Sequence, residues 1–196
     1  MTGKTTQSQR TTIEQLLISQ SVQRSLAQAP EGLIPVPPGS GVMLDTSAIA
    51  VATGTSSDQK LMQQMVTGWL GYHGYAVQDD ERNATHRINV IVGALGTETG
   101  GSFFGMPASS SQVIPISLPE MALYKAQYQT GYVRFYMDIF ELPSGRLIHS
   151  TPTFLAESYY NNHTVLFFIS FAQTDIEQPP QLGTFREQRK MENRVE

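Results

Sequence analysis

The sequence predicts an α+β domain: a mostly antiparallel sheet packed by two main helices, with a long Gly/Ser/Pro-rich insertion. Three segments carry that prediction. Residues 132–150 alternate as a β-hairpin, with Val133, Phe135, Met137 and Ile139 on one face and Tyr132, Arg134, Tyr136 and Asp138 on the other. Leu61, Met62, Met65, Val66, Trp69 and Leu70 recur at the spacing of a helix lying on a sheet. Residues 87–95 are apolar on both faces, as in a strand near the middle of a sheet.

Each element has its own local reason. Residues 1–10 are polar and read as a flexible leader, residues 11–176 as a single α+β domain, and 177–196 as a polar C-terminal tail. Thr11 and Glu14 have capping-box spacing, and Ile13, Leu16, Leu17 and Ala27 share a stripe on the helix that follows. Pro30, Gly32, Pro35, Pro37, Pro38, Gly39 and Gly41 end that helix in a stiff connector. Residues 41–45 and 48–51 read as short extended stretches. Ser57 or Asp58 caps the second helix and Gly74 closes it, before extended chain at 75–77 and a charged turn from Asp79 to Asn83. After the strand at 87–95, residues 96–129 read as a loop. Leu142-Pro143-Ser144-Gly145 turns the hairpin, 154–159 extends its returning strand, and 164–171 forms a final buried strand with Val165, Phe167, Ile169 and Phe171 on one face. Met65, Trp69, Val90, Val92, Phe135, Ile139, Phe167 and Ile169 are the expected core.

Composition narrows the function without naming one. The chain has 196 residues, 40% hydrophobic and 15% charged, enough for one sizeable core. A net charge of −4 from 13 scattered Lys and Arg argues against a nucleic-acid partner, because neutralising phosphates needs clustered cations. There is no cysteine, hence no disulfide, thiolate metal site or thiol nucleophile. No apolar run reaches the ~18–20 residues of a membrane-spanning helix, and no signal-peptide core is evident at the start. Gly3-Lys4-Thr5 lacks the preceding strand and glycine of a phosphate loop. His73, His86, His149 and His163 have no metal-ligand spacing, and Asp79, Asp80, Glu81 and Asn83 lack the calcium-loop pattern. No serine sits in a Gly-x-Ser-x-Gly elbow. The reading is therefore non-enzymatic, with no catalytic, cofactor or metal residue assigned. The candidate interaction residues are Phe103, Phe104, Met106, Val113 and Ile114, too apolar for a loop that is merely solvated. The alternative is a hydrolase or small-ligand-binding domain with its site under the 96–129 loop.

The order of helix with Arg10-Thr11-Thr12-x-Glu14-Gln15, long amphipathic helix, strand, Gly-rich segment with Ser102-Phe103-Phe104-Gly105, and hairpin with Ser144-Gly145-Arg146 resembles the curli-secretion-type family of bacterial outer-membrane lipoproteins. The likeness spans roughly residues 10–172. It implies a place in the cell envelope, on the periplasmic side of the outer membrane. It also implies a protein partner or self-association, with the membrane touched only through an N-terminal lipid anchor absent from this chain. In secretion-channel members the insertion forms membrane-spanning hairpins. Residues 96–129 lack a long polar/apolar alternation, so the expectation is an assembly or regulatory domain that works through its surface and forms no channel.

Overall fold

The computed structural model describes residues 11–30, 32–49, 56–106, 109–110, 117–118 and 121–177. Helix α1, Thr12–Ala27, starts as its spacing requires: the Glu14 N–H donates to Thr11 Oγ1 at 3.3 Å, and the Thr11 N–H donates to the Glu14 carboxylate at 2.7 Å. Its buried face is Leu17, Ile18, Val22 and Leu26, with Ser21 and Ser25 also turned inward. The connector after it is tied down by Tyr75, whose hydroxyl lies 3.2 Å from the carbonyls of both Ile34 and Val36. Burial pushes that phenol above its ordinary pKa. Helix α2, Ser56–Tyr72, closes as the sequence predicts. Gly74 takes φ +84°, its N–H donates to Gly71 O, and the Tyr75 N–H donates to Leu70 O, both at 3.0 Å.

The strands are β1 (Gly41–Asp45), β2 (Ala76–Gln78), β3 (His86–Met106), β4 (Ser109–Ser110), β5 (Ser117–Leu118), β6 (Met121–Glu141), β7 (Arg146–Ser150), β8 (Phe154–Val165) and β9 (Ile169–Thr174). Seven of them form one sheet in the order β2-β1-β3-β6-β8-β9, with β7 also on β6; β4 and β5 pair apart. Only β1 pairs in parallel, with β2 and β3, and every other pairing is antiparallel. The mixed α/β architecture with a predominantly antiparallel sheet is thus the one expected. The central position expected of 87–95 also holds, since β3 lies between β1 and β6.

Both helices cover one face of the sheet. Val22, Leu26, Met62, Val66 and Leu70 close over Val42, Ile88, Val90, Val92, Val133, Phe135, Met137 and Ile139. Phe135 and Phe154 stack within this layer, 4.6 Å between centroids and 3° between planes. Of the expected core, Val90, Val92, Phe135 and Ile139 are buried, whereas Met65 and Trp69 are only partly so and pack against its rim.

Four expectations change. First, the described parts of 96–129 are strand, not loop: β3 and β6 each run 21 residues. Glycines of β3 lie opposite larger side chains, with Gly100 facing Tyr128 and Gly101 facing Gln127, so the ladder continues through residues that individually disfavour strands. Val113 and Ile114 lie outside the described residues. Second, 164–171 is not one buried strand. The chain turns at Leu166 and Phe167, both at positive φ (49° and 69°), and Phe167, Ile169 and Phe171 are exposed. Neither Gly nor Pro marks that turn, so an unbroken apolar run concealed it. Third, Ser47–Ile49 is helical, not extended. Asp45 Oδ1 accepts from the Ser47 N–H at 2.9 Å, which starts a turn and, with the Ser47 hydroxyl and Arg87, lowers the Asp45 pKa. Residues 50–51 lie outside the described set, as do the leader at 1–10 and the tail from 178.

Fourth, β8 continues the edge that β7 begins on β6, but after a break. Thr151 bridges it, its N–H donating to Met137 O and its Oγ1 accepting from the Met137 N–H, both at 2.9 Å.

Candidate functional site

The sheet outruns its helices, and the boundary is built from small residues. At Gly131 helix α1 comes so close that an added Cβ would meet the backbone carbon of Leu17 at 2.6 Å. Ser158, paired with Gly131 across the ladder, donates to Leu17 O at 2.7 Å and sits 2.9 Å from Ser21 Oγ. Tyr160 and Ile176 then close with Leu17, flanked by Ile13 and Leu16, in a second, smaller cluster. Arg24 locks the same level from the side. Its Nη1 donates to Asp175 Oδ2 and to Glu157 O, each at 2.6 Å, while Asp175 Oδ1 accepts from the Tyr159 N–H at 2.8 Å.

Beyond this boundary β3, β6, β8 and β9 form a four-stranded blade with no helix on either face among the described residues. The register assigns its faces. Phe104, Tyr124, Val165 and Ile169 are successive cross-strand partners and therefore point the same way, as do Ser102, Ala126, His163 and Phe171 one rung down. Ring contacts agree, since His163 stacks on Phe171 at 5.1 Å and meets the edge of Tyr128 at 6.0 Å. The opposite face carries Thr99, Lys125, Gln127, Gln129, Asn162, Thr164 and Ser170, with Phe103 its large apolar exception. Thr164 and Ser170 hydrogen-bond across it at 3.0 Å. One face thus gathers most of the aromatic rings, with Ser102, Asn161 and Gln173 among them, and the other is polar and nearly uncharged. Among the described residues, Glu98 lies at the base of the first and Lys125 on the second.

The blade's end is more apolar still. In the β8–β9 turn Leu166, Phe167 and Phe168 are all exposed, Phe168 by 78%, and on β3 Phe104 is 68% exposed. Leu166 and Phe167 are bulky side chains in the left-handed region, a conformation rare enough to mark a constrained site. The turn is held by hydrogen bonds from the Leu166 N–H to Leu123 O (2.9 Å) and from the Phe167 N–H to Ala122 O (3.0 Å). Both edges of the blade are free among the described residues: β3 pairs with β1 only as far as Asn89, and β9 pairs with β8 alone.

Of the predicted interaction residues, Phe103, Phe104 and Met106 are all exposed on the blade, with Phe103 and Phe104 on opposite faces. The aromatics of β6, β8 and β9 were not predicted as part of a surface. The alternation in Tyr124–Tyr128 and in Ile169–Thr174 was the signal available. Among the described residues, the 96–129 segment is strand and covers no cavity as a loop. A cavity of about 270 Å³ does exist, at the far end of α1 between Gln28, Leu33, Pro152 and Phe154, and none of its lining residues is an acid, a base or a metal ligand. Among the described residues no three His, Asp or Glu side chains gather as a cation site, and no helix is long and apolar enough to cross a membrane.

No family model matches the sequence, and no curated protein matches it. Among solved structures, the chain is similar to a proposed neuraminyllactose-binding hemagglutinin homologue from Helicobacter pylori, with 14% identity, a TM-score of 0.28, and coverage of 81% of this chain and 79% of that one. A likeness this loose carries no inference about what the protein does.

Proposed function

We propose that this protein is a non-enzymatic envelope component that self-associates through its blade and inserts that blade into a lipid bilayer. The observation that carries this reading is the division of one four-stranded sheet into a face rich in aromatic rings and a polar face, with no helix on either among the described residues. Water is a poor solvent for the first face and hydrocarbon a poor one for the second. A membrane β-structure satisfies both by turning the apolar side to lipid and the polar side to a shared interior.

The two longest strands have the required reach: residues 97–106 of β3 and 121–130 of β6 match the ~9–11 residues of a membrane-crossing strand, while β9, of six residues, and β8 beyond Tyr159 reach only part of the way. Tyr132 and Tyr159 at the base, with Phe104 and Phe168 at the end, occupy the levels at which membrane strands carry aromatic girdles. The edges supply the argument for self-association. An unpaired strand edge in hydrocarbon costs several kcal/mol per orphan group, whereas burying one aromatic ring returns only ~1.5–3 kcal/mol. The edge term wins, so a lone blade stays out. About eight strands are the fewest that close a barrel, so four per chain requires at least a second copy. In such a ring β9 of one copy would pair with β3 of the next, continuing the antiparallel order.

The envelope setting rests on the family resemblance of the helix, insertion and hairpin motifs. The reading departs from the expectation of a surface without membrane contact, because the alternation that residues 96–129 lacked as a continuous pattern is present across four strands in space.

Co-flotation with phosphatidylcholine vesicles at pH 7.5 tests it. The full chain should float with the vesicles, and the variant Phe104→Ser/Phe171→Ser should remain below with its melting temperature unchanged. Gln127→Ser/Asn162→Ser, on the other face, should float as the parent does. Equal losses from both faces, or a parent chain that never floats, would overturn the proposal; so would a lower melting temperature for the first variant, since its rings would then be packing inside the chain.

A further inference from the structure

His163 stands in the middle of the apolar face, between the boundary at Tyr159 and the turn at Leu166. Among the described residues it is the one basic side chain on that face of the blade. Its Nδ1 lies 3.2 Å from the Tyr124 hydroxyl, its ring stacks on Phe171, and Tyr128 presents an edge to it. We infer that His163 makes bilayer insertion of the blade pH-dependent, admitting the blade when the imidazole is neutral and keeping it in water when the imidazole is charged. This rests on the membrane reading above.

The groups around His163 leave the imidazole in control of that window. From β6 it faces the phenols Tyr124 and Tyr128; the Tyr124 pKa is raised, first by its hydrogen bond with Tyr128 and then by burial. From β9 it faces Phe171, with Ile169 and Gln173 on either side, none of which titrates. Its own strand adds Asn161 and Val165, and on β3 the nearest charge on this face is Glu98, opposite Thr130. Lys125 points to the other face.

The neutral ring suits the apolar face. It accepts the Tyr124 hydroxyl at Nδ1 and leaves one N–H to place. Protonation turns both ring nitrogens into donors and puts a full charge where hydrocarbon should lie. Phe171, stacked on the imidazole, offsets part of that charge through its negative ring face while the face is in water, and this widens the preference of the charged form for the soluble state. The sign follows from linkage. Insertion disfavours the proton, so acid opposes insertion. Each copy in a ring contributes one such site, so the loss is cooperative in the number of copies.

The test compares the full chain with His163→Phe and His163→Lys, on phosphatidylcholine vesicles at pH 7.5 and 5.5. The parent should lose about tenfold in bound-to-free ratio on acidification, the equivalent of one pKa unit. His163→Phe should give the same ratio at both values, and His163→Lys should bind poorly at pH 7.5, where the body is not challenged by acid. Equal parent binding at both pH values, an undiminished acid loss in His163→Phe, or full binding by His163→Lys would each overturn the inference while leaving the membrane reading standing. A parent that binds at neither pH overturns the membrane reading itself.

Discussion

Gly131 is where a single missing side chain sets the geometry of the whole molecule. Helix α1 can cross the sheet this closely only because there is no Cβ beneath Leu17, and Ser21 and Ser158 fill the rest of the crossing with hydroxyls that satisfy one another and the Leu17 carbonyl. The obstruction is backbone, which cannot rotate away. Gly131→Ala should therefore cost about 1–3 kcal/mol, the usual penalty of overpacking. Gly96→Ala, at a strand glycine with nothing within 4 Å of the added carbon, should change stability little. Chemical denaturation of the two variants checks the contrast, and equal midpoints would refute the close crossing. Neither role was legible in the sequence, where Gly96 stands between Leu95 and Thr97 and Gly131 between Thr130 and Tyr132, and nothing distinguishes the one under a helix from the one in the open.

At the scale of elements, legibility followed how strongly one face is buried. The 132–139 stretch of β6 alternates cleanly because its odd positions meet two helices and its even positions meet water. The same strand from 121 to 130 meets no helix on its polar side, and alternation between Lys, Gln and Tyr or Ala is a far weaker signal than alternation between charge and aliphatic. Composition then misled, since Gly and Ser weigh toward loop when the large partner that covers them lies on another strand. The two halves should differ in dynamics as well. Amides of β6 from Val133 to Ile139, hydrogen-bonded beneath the core, should exchange near the global unfolding limit. Those of β3 from Gly100 to Met106, on an edge of the blade, should exchange orders of magnitude faster in the water-soluble form. Uniform protection along β3 would show that something covers the blade in solution.

For the whole molecule, the free edges are the decisive feature. A sheet whose end strands carry no proline and little charge, with register shifts only at Val92/Ala94 and Phe104/Gly105 of β3, is open to pairing with another copy. Because the chain has no cysteine, introduced pairs report cleanly. Thr99→Cys or Gly101→Cys on β3, combined with Ala172→Cys or Thr174→Cys on β9, should yield intermolecular disulfides when vesicles are present, for at least one combination whose register brings the sulfurs together. Failure of every combination, in protein that does float with vesicles, would mean that the blades insert without pairing edge to edge.

What the sequence determined on its own was whatever depends on near neighbours: the capping box at Thr11, the left-handed close at Gly74, the turn at Gly145 and the faces of the hairpin beside the core. What only the tertiary structure decided was the meaning of residues 96–106 and 121–130 together with the apolar run at 164–171. Phe104, Tyr124, His163 and Phe171 are separated by up to 67 positions along the chain and share a face only because four strands align in register. Along any one strand this face shows only as a short alternation, as in Tyr124–Tyr128 and Ile169–Thr174, and which strands join to make it is set by register that no local pattern announces.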